Sequence, residues 1–234
     1  MAIQTDILQW NLRGLRKNYP ELNLLIGTLN PNVLCLQETK LPTDENVFEI
    51  RNFSGYHHIH SSGEIACGGT SIFIKSSKIH QKIPLTSPLQ AVAVRVTLHK
   101  PVTICSVYIP PLYKPSLAQF HRLVEQLPRP FFLVGDFNAH NPLWGSTRMD
   151  RQGKGKIIED LLTQTDMCFL NDGSPTYMCP ATLKVSCIDL TLCDPTTRSD
   201  FTWSVLEDPH GSDHFPIIIK PNVLSPLLTI FMIF

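Results

Sequence analysis

The sequence carries no excess of charge of either sign. Its 234 residues include twenty basic and twenty acidic side chains, which give a formal net charge of zero. Composition therefore does not indicate a polyanion-binding protein, and any basic surface must be local. A content of 43% hydrophobic and 17% charged residues allows one large α/β or β-rich domain or two small ones, and we favour one.

Cysteine pairs of the C-x-x-C type are also absent. The seven cysteines are odd in number and mostly lie in apolar runs, at positions 35, 67, 105, 168, 179, 187 and 193. This pattern is typical of reduced core thiols and favours a cytoplasmic or nuclear compartment. The first six residues lack the basic and apolar segments of a secretory signal, so we expect that the protein is not secreted.

No apolar run is long enough to span a bilayer, and no repeat, low-complexity tract or linker divides the chain. We expect one domain over residues 1–220, followed by an apolar tail over residues 221–234 of unknown role. Residues 227–234 are far too few for a transmembrane helix, and their simplest interpretation is a buried strand or an incidental ending. We therefore expect no membrane partner.

Short apolar runs interleave with a few amphipathic segments. Strands are predicted at residues 7–10, 33–36, 70–74, 91–98, 102–109, 131–134, 187–192, 201–206 and 215–219. Helical spacing occurs at Leu22, Leu25, Ile26 and Leu29, at Leu117, Phe120, Leu123, Val124 and Leu127 after a Ser116 cap, and at Ile157, Ile158, Leu161 and Leu162. This order favours packed sheets with helices outside over a helical bundle.

Polar side chains recur where the predicted strands end. They are Asn11, Glu38, Tyr108, Asp136, Asn138, Asp189, Asp213 and His214. Any single Asp or Asn in this position is most simply a turn former, so the indication of a site comes from the whole set. Asp136 and Asn138 are two residues apart, and they would point the same way, toward one water or phosphate oxygen, if the strand geometry continued.

Asp189 differs from the others because it lies inside an apolar run, between Ile188 and Leu190. A buried carboxylate needs a partner. His214 is the natural candidate, since a carboxylate orients an imidazole and favours its charged form. For His214 taken alone, the alternative of a structural histidine stays open.

Seven segments with these polar residues occur in a recognisable order, at residues 9–15, 36–39, 68–72, 106–111, 135–140, 188–192 and 212–214. Their order resembles the endonuclease/exonuclease/phosphatase superfamily, which includes exonuclease III and the apurinic endonucleases. Gly68-Gly69, residues 106–111 and residues 138–145 are most similar to the endonuclease domain of insect-type non-LTR retrotransposons. The resemblance runs from about Thr5 to Ile219.

The resemblance implies a fold and an activity. The fold would be a four-layer, DNase I-like α/β sandwich, in which two packed, mostly antiparallel sheets are flanked by helices and the site lies at one end. The activity would be a Mg²⁺-dependent DNA endonuclease that hydrolyses a phosphodiester bond and leaves a 3′-hydroxyl, which then primes reverse transcription.

The resemblance also implies roles for the polar residues. Glu38 would hold Mg²⁺, or Mn²⁺ as the alternative ion, with Asn11 and Asp213 nearby. Asp136 would orient or deprotonate the attacking water, helped by Asn138, and the identity of the general base stays open. His214, paired with Asp189, and Tyr108 would contact the scissile phosphate.

One position departs from part of the superfamily. Some apurinic endonucleases carry an acidic residue two places after the motif asparagine, where this chain has Arg13. A metal-ligand set that includes such a carboxylate is therefore in doubt. Because retroelement members tolerate a non-acidic residue there, the difference favours a retroelement enzyme over a repair enzyme.

The partner implied by the resemblance is double-stranded DNA, and no obligate protein partner is evident. Two basic clusters beside catalytic segments could neutralise phosphates, although a solvated surface is the alternative for each residue. They consist of Arg13, Arg16 and Lys17, and of Arg148, Arg151, Lys154 and Lys156. Trp144 is a candidate for base stacking, but a packed turn is its simpler interpretation.

Two other functions stay open. A phosphoesterase of the same fold that acts on a phosphoinositide or another small phosphoester would use the same residues, although no extra basic pocket motif supports it. A non-catalytic remnant that only binds nucleic acid is the second alternative. The unpatterned stretch after Lys220 motivates it, and the intact set of site residues argues against it.

Overall fold

Two six-stranded β-sheets form the centre of the computed structural model, which describes residues 5–42, 48–59, 61–62, 65–148 and 150–222. The strands, numbered along the chain, are β1 (Ile7–Asn11), β2 (Val33–Gln37), β3 (Phe53–His58), β4 (Ser61–Ser62), β5 (Ile65–Ala66), β6 (Thr70–Lys75), β7 (His80–Ile83), β8 (Gln90–Thr97), β9 (Pro101–Tyr108), β10 (Phe131–Asp136), β11 (Cys168–Phe169), β12 (Tyr177–Met178), β13 (Val185–Ser186), β14 (Asp189–Cys193), β15 (Phe201–Val205) and β16 (Ile217–Pro221). The helices are α1 (Tyr19–Leu29), α2 (Leu117–Val124), α3 (Lys154–Gln164) and α4 (Pro195–Arg198), and a 3₁₀ helix covers Pro142–Trp144.

Each large sheet contains one parallel pair in an otherwise antiparallel arrangement. The strand orders are β15-β16-β1-β2-β6-β3 and β11-β14-β10-β9-β8-β7. The parallel pairs are β1 with β2 and β9 with β10, while the remaining neighbours are antiparallel. This confirms the prediction of mostly antiparallel sheets. A parallel pair delivers both of its carboxyl ends to one edge, and that property positions the candidate site.

The apolar side chains form three layers of core, as strand alternation requires. Between the sheets lie residues such as Ile7, Ile104 and Val134. On the outer face of the first sheet, the intervening residues Leu8 and Trp10 pack in one cluster with residues of α1. A third cluster joins the outer face of the second sheet to α2 and α3. The layers therefore run helix, sheet, sheet, helix, which confirms the predicted four-layer sandwich.

Hydrogen bonds of Ser116 and Gln119 determine where helix α2 begins. The Ser116 hydroxyl accepts a hydrogen bond from the Gln119 amide at 3.3 Å, and the Gln119 side chain accepts one from the Ser116 amide at 2.7 Å. This reciprocal pair is a capping box, which satisfies two backbone donors that the first turn of a helix leaves free. The predicted Ser116 cap is confirmed.

A layer of neutral polar side chains separates the inter-sheet core from the candidate site. Gln9 donates to the Gly135 carbonyl at 3.2 Å and accepts from the Thr191 hydroxyl at 3.0 Å. Gln37 donates to the Ser106 hydroxyl at 2.9 Å. The side chains of Gln9, Gln37, Ser106 and Thr191 are buried, and each of the three bonds crosses the gap between the sheets. Because buried polar groups without partners are costly, these bonds fix the relative position of the two sheets close to the site.

Gly135 is required by the close approach of β10 to β9. Its φ is +151°, and a Cβ built on it would lie 1.8 Å from the Val107 carbonyl oxygen. No side chain fits at that distance without moving main chain. The residue immediately precedes Asp136, so this tight pairing also sets the position of that carboxylate.

The structure refines several predictions. Strand β14 begins at Asp189, so this residue starts a strand rather than lying within one. All seven cysteines are unpaired, with Cys67, Cys168 and Cys179 only half-buried. Residues 223–234, which include most of the predicted tail, lie outside the described residues. Across the described residues, no helix is both long enough and apolar enough to cross a membrane.

We expect Gly135→Ala to lower the free energy of unfolding by at least about 3 kcal/mol, because β9 and β10 must separate to admit the methyl group. The matched control is Gly27→Ala, in the exposed middle of α1, where an added Cβ meets no atom within 4 Å. That change should raise stability by about 0.5–1 kcal/mol through helix propensity. Urea unfolding measures both, and equal effects of the two substitutions would contradict the argument.

Candidate active site

The polar residues predicted at strand ends meet at one edge of the sandwich. Asn11 ends β1, while Tyr108 and Asp136 end β9 and β10. In the second sheet Asp136 is registered opposite Tyr108 on one side and opposite Asp189 on the other. Main-chain pairing alone therefore sets three polar side chains of this sheet beside one another.

Asn11 connects the two sheets at this edge. Its Nδ2 donates to Asp136 Oδ2 at 2.9 Å and to Glu38 Oε1 at 3.3 Å, and it lies 3.4 Å from His214 Nε2. Its Oδ1 accepts from the Arg13 amide at 3.2 Å. Asn11 is fully buried, so a single amide group holds carboxylates from both sheets at fixed distances.

Asp136 and Asn138 are adjacent, but not through continued strand geometry. Strand β10 stops at Asp136, and Asn138 has a left-handed backbone with a φ of 47°. This turn lets the Asn138 amide donate to Asp136 Oδ1 at 2.9 Å and its side chain to Oδ2 at 3.1 Å. Burial and the neighbouring Asp189 charge raise the pKa of Asp136, against the opposite effect of His214 and the hydrogen bonds.

The predicted Asp189–His214 pair is confirmed. His214 Nδ1 lies 2.8 Å from Asp189 Oδ2, and both residues are buried. The His214 main chain is held at the same time, because its carbonyl accepts from Trp10 Nε1 at 3.0 Å. Burial alone would lower the pKa of His214, but the charges of Asp189 and Asp136 outweigh it and raise that pKa to about 9. The imidazole is therefore an imidazolium at neutral pH.

Glu38 directly follows β2, with a left-handed backbone (φ 49°). Its Oε1 accepts from the Tyr108 hydroxyl at 3.1 Å, and its Oε2 lies 2.9 Å from Lys40 Nζ. Burial alone would raise the pKa of Glu38, but the Lys40 ammonium lowers it below its usual value. Burial and the charges of Glu38 and Asp136 raise the pKa of Tyr108. Glu38 is thus an anion and Tyr108 a neutral donor at pH 7.

Oxygen donors at this edge fit a divalent cation such as Mg²⁺. Asp213 Oδ2 lies 3.1 Å from Arg13 Nη1, whereas Asp213 Oδ1 is buried and lacks a hydrogen-bond partner among the described residues. A buried carboxylate oxygen without a donor calls for an explanation, and a bound cation supplies one. Together with the Glu38 carboxylate and the Asn11 amide oxygen, Asp213 could supply ligands of the hard type that Mg²⁺ prefers.

A second acidic group lies deeper. Within the described part of the chain, one trio of His, Cys, Asp or Glu side chains has its ligand atoms within 4.8 Å of one another, namely Asp136, Asp189 and His214. His214 Nδ1 already contacts Asp189, and its Nε2 lies 3.8 Å from Asp136 Oδ2. An imidazolium between two carboxylates accounts for this arrangement. The side chains of Glu38 and Asp213 are 17% and 12% exposed and make no such pair with His214 Nδ1, so they are the better metal candidates.

A cavity of about 280 Å³ opens over these side chains. Arg13, Arg148 and His140 contribute to its wall, and an adjoining cavity of about 330 Å³ shares Arg148 and adds Arg151. Arg16, Lys17 and Lys156 are exposed but belong to neither wall, and Lys156 pairs with Glu159 and Asp160 of its own helix instead. Three of the seven predicted basic contacts thus border the site.

Two predicted DNA contacts are wrong. Trp144 is 1% exposed, and its Nε1 donates to the Ala139 carbonyl at 3.2 Å, so it cannot stack on a base, and the packed turn that was its simpler interpretation is confirmed. Lys154 is also 1% exposed and cannot neutralise a phosphate in solvent. Both lie in the segment after Asn138, whose burial depends on tertiary packing rather than on a local pattern.

Two residues of the site escaped the sequence reasoning. Lys40 follows Glu38 by two residues, the same spacing that drew attention to Asp136 and Asn138, so it was open to detection. Tyr177 lines the cavity, and its ring centroid lies 4.8 Å from that of His214. It belongs to a two-residue strand, which offers no periodicity to recognise.

Comparison with known sequences identifies relatives. A family model described as endonuclease-reverse transcriptase matches residues 102–218, half of this chain. The RNA-directed DNA polymerase from mobile element jockey of Drosophila funebris is 28% identical over 213 residues, which are 89% of this chain and 23% of that protein. The probable RNA-directed DNA polymerase from transposon X-element of Drosophila melanogaster is 29% identical over 91% of this chain and 24% of that protein. The chain spans about a quarter of the length of these curated relatives.

Solved structures share the fold. The endonuclease domain of TRAS1, a telomere-specific non-LTR retrotransposon, matches with a TM-score of 0.77 at 21% identity, over 94% of this chain and 99% of that one. AP endonuclease LMAP from Leishmania major matches with a TM-score of 0.70 at 17% identity, over 92% of this chain and 87% of that one. These matches confirm the DNase I-like α/β sandwich.

The raised pKa of His214 predicts a pH-dependent contribution to stability. Because the folded pKa of about 9 exceeds the usual 6.5, the contribution is fully present below pH 6.5 and is lost as pH rises through 9. In EDTA, the difference in unfolding free energy between wild type and His214→Gln should narrow by roughly 3 kcal/mol between pH 6.5 and pH 10. A difference that stays constant over this range in urea titrations would contradict the imidazolium assignment.

Proposed function

Since this chain belongs to the endonuclease-reverse transcriptase family, we propose that it is a divalent-metal-dependent DNA endonuclease of the non-LTR retrotransposon type. The observation that carries the proposal is that Asp136 and His214 line one cavity, where Asp136 is held by Asn11 across the two sheets and His214 is held by the buried Asp189. We assign the activity to residues 1–220 and its site of action to chromosomal DNA in the nucleus. The product would carry a 3′-hydroxyl able to prime reverse transcription.

Glu38, Asp213 and Asn11 would hold the metal, with Mg²⁺ favoured over Mn²⁺ by the all-oxygen donor set. The bound ion would supply positive charge to phosphoryl oxygens as negative charge builds on them. Lys40 lies against Glu38 and Arg13 against Asp213, so each candidate carboxylate already has a cation beside it. The Lys40 ammonium lowers the pKa of Glu38 and so keeps this ligand ionised.

Asp136 would accept a proton from the attacking water. Its carboxylate is oriented by Asn11 and by two donors of Asn138, and its raised pKa makes it a stronger base than an ordinary aspartate. As the water oxygen bonds to phosphorus, the bond from phosphorus to the 3′-oxygen breaks. The leaving 3′-oxygen takes up a proton from solvent, so one DNA end carries a 3′-hydroxyl and the other a 5′-phosphate.

His214 and Tyr108 would stabilise the charge that develops on the scissile phosphate. His214 Nδ1 is engaged by Asp189, which leaves Nε2 as the donor on the side of Asp136. The Tyr108 hydroxyl stays protonated because its pKa is raised. Preorganised donors of this kind act strongly where water is excluded, and these side chains are buried.

The surroundings of the cavity favour DNA over a small phosphoester. Arg13, Arg148 and Arg151 extend along two adjoining cavities, so positive charge continues beyond one phosphate group. A polymer with regularly spaced phosphates fits this arrangement. Arg16 and Lys17 lie exposed near the first cluster and would add weaker, non-specific contacts. The complete set of positioned polar groups argues against a remnant that only binds nucleic acid.

The activity is tested by nicking of supercoiled plasmid. We expect nicking with Mg²⁺ and none in EDTA, and nicked ends that a DNA polymerase extends without prior phosphatase treatment. Asp136→Asn and Glu38→Gln should each lower the single-turnover rate by about 10²–10³-fold, because they remove a base and a metal ligand. The matched control Asp172→Asn, an exposed aspartate, should keep the wild-type rate. Nicking that is unaffected by EDTA or by Asp136→Asn would refute the proposal.

The proposed phosphate contacts are tested by the salt dependence of DNA binding. We expect Arg148→Met to weaken binding and to reduce the slope of log K against log salt by about 0.9, since one phosphate contact is lost. Arg122→Met, an exposed arginine of α2 that contributes to neither cavity wall, is the control and should keep the wild-type slope. Fluorescence anisotropy with a short duplex in EDTA measures both slopes. An unchanged slope for Arg148→Met would mean that this residue does not contact a phosphate.

A further inference from the structure

Lys154, the first residue of α3, is a buried lysine that the proposed chemistry does not use. Its side chain is 1% exposed, and its Nζ donates to the carbonyls of Pro110 and Pro111 at 2.8 Å each. Burial lowers its pKa to about 8, while Asp136 and Asp150 act in the opposite direction. Burying an ammonium is costly, and here it is directed at two main-chain oxygens rather than at a carboxylate.

The two prolines explain why this contact matters. Pro110 and Pro111 have no backbone N–H, so only their carbonyls can anchor them by hydrogen bonds. They open the segment of residues 110–113, which we call the proline loop. The loop is closed by a bond from the Tyr113 amide to the Pro110 carbonyl at 3.1 Å. It is held from outside by Gln119, which donates to the Tyr113 hydroxyl at 3.0 Å.

The proline loop stands between the cavities at the site. Pro111 lines both the cavity over the catalytic residues and the adjoining cavity with Arg148 and Arg151. On its other side the loop contributes Leu112 and Tyr113 to a cavity of about 410 Å³. Leu112 is 87% exposed, although the main chain beside it is held by several hydrogen bonds. The bonds to Pro110, Pro111 and Tyr113 hold the main chain on both sides of Leu112, so this exposed side chain starts from a fixed position beside the proposed DNA site.

The first turn of α3 is attached to the protein without Lys154. The Gly155 amide donates to the Asp150 carboxylate, and a Cβ on Gly155 would lie 2.0 Å from the His140 carbonyl oxygen. An apolar side chain at position 154 would fill the same space without the cost of burying charge. What the lysine adds is the pair of bonds to the proline loop.

We infer that Lys154 is a positioning residue that fixes the proline loop, so that Leu112 contacts the DNA beside the scissile phosphate and determines where the strand is cut. The inference rests on the proposed function. Lys154 acts through the loop and does not touch the substrate.

The test compares Lys154→Met with Lys156→Met, which removes the same charge from an exposed position on the same helix. Nick positions on a plasmid are mapped by sequencing, and kcat and KM are measured on a duplex with the preferred site. We expect Lys154→Met to distribute the nicks more evenly over the plasmid sequence. KM should rise about tenfold, with kcat within about threefold of wild type. Lys156→Met should keep the wild-type map. An unchanged map and KM in Lys154→Met would overturn the inference.

Leu112→Ala provides a variant that leaves the fold intact, because the side chain is exposed. It should alter the nick map as Lys154→Met does, and the two changes together should have no more effect than either alone, since both act through one loop. Additive effects on KM would overturn the inference. This variant also covers the case in which Lys154→Met does not fold.

Hydrogen exchange in the purified chain separates failure of the inference from failure of the proposed function. The Tyr113 amide should exchange about tenfold faster in Lys154→Met than in wild type or Lys156→Met, because its acceptor Pro110 is released. Faster exchange in a chain that nicks no DNA would refute the nuclease proposal and retain the anchoring role of Lys154. Unchanged exchange would refute that role whatever the activity.

Discussion

The hydrogen bond from Asn11 to Asp136 is the contact on which the site depends. It joins the last residue of β1 in one sheet to the last residue of β10 in the other at 2.9 Å. Each strand brings its own polar neighbours, Glu38 from the first sheet and Tyr108 and Asp189 from the second. If the sheets slid relative to each other, the polar groups within each sheet would keep their arrangement, but the groups from the two sheets would no longer meet. The buried bonds of Gln9 just below this edge oppose such sliding.

Charge is distributed in two levels at this edge. The deeper level places the His214 imidazolium between Asp189 and Asp136, so that one cation compensates two buried carboxylates. The outer level pairs Glu38 with Lys40 and Asp213 with Arg13, close to solvent. In the proposed mechanism the metal and the DNA bind at the outer level, while the inner level keeps its geometry. The buried inner level thus holds both the proposed base, Asp136, and the proposed donor to the phosphate, His214, in fixed positions.

Sequence reasoning succeeded where one local pattern decides the outcome. Alternation located the main strands, Ser116 gave a helix start, and a carboxylate between apolar neighbours required the partner that His214 provides. It failed where tertiary packing decides. Trp144 and Lys154 look available for DNA but are buried, and Asn138 reaches Asp136 through a left-handed turn rather than along a strand. Tyr177 belongs to the site because distant segments meet there, which no periodicity records, whereas Lys40 lies only two residues after Glu38 and could have been found from the sequence.

A double-mutant cycle across the Asn11–Asp136 bond tests the central claim, that groups from both sheets act as one catalytic unit. The single-turnover nicking rate with Mg²⁺ is measured for Asn11→Ala, Asp136→Asn and the double variant. We expect the double variant to be no slower than the slower single variant, since either change disrupts the same unit. Rate losses that multiply would mean that the two residues act independently and would contradict the account.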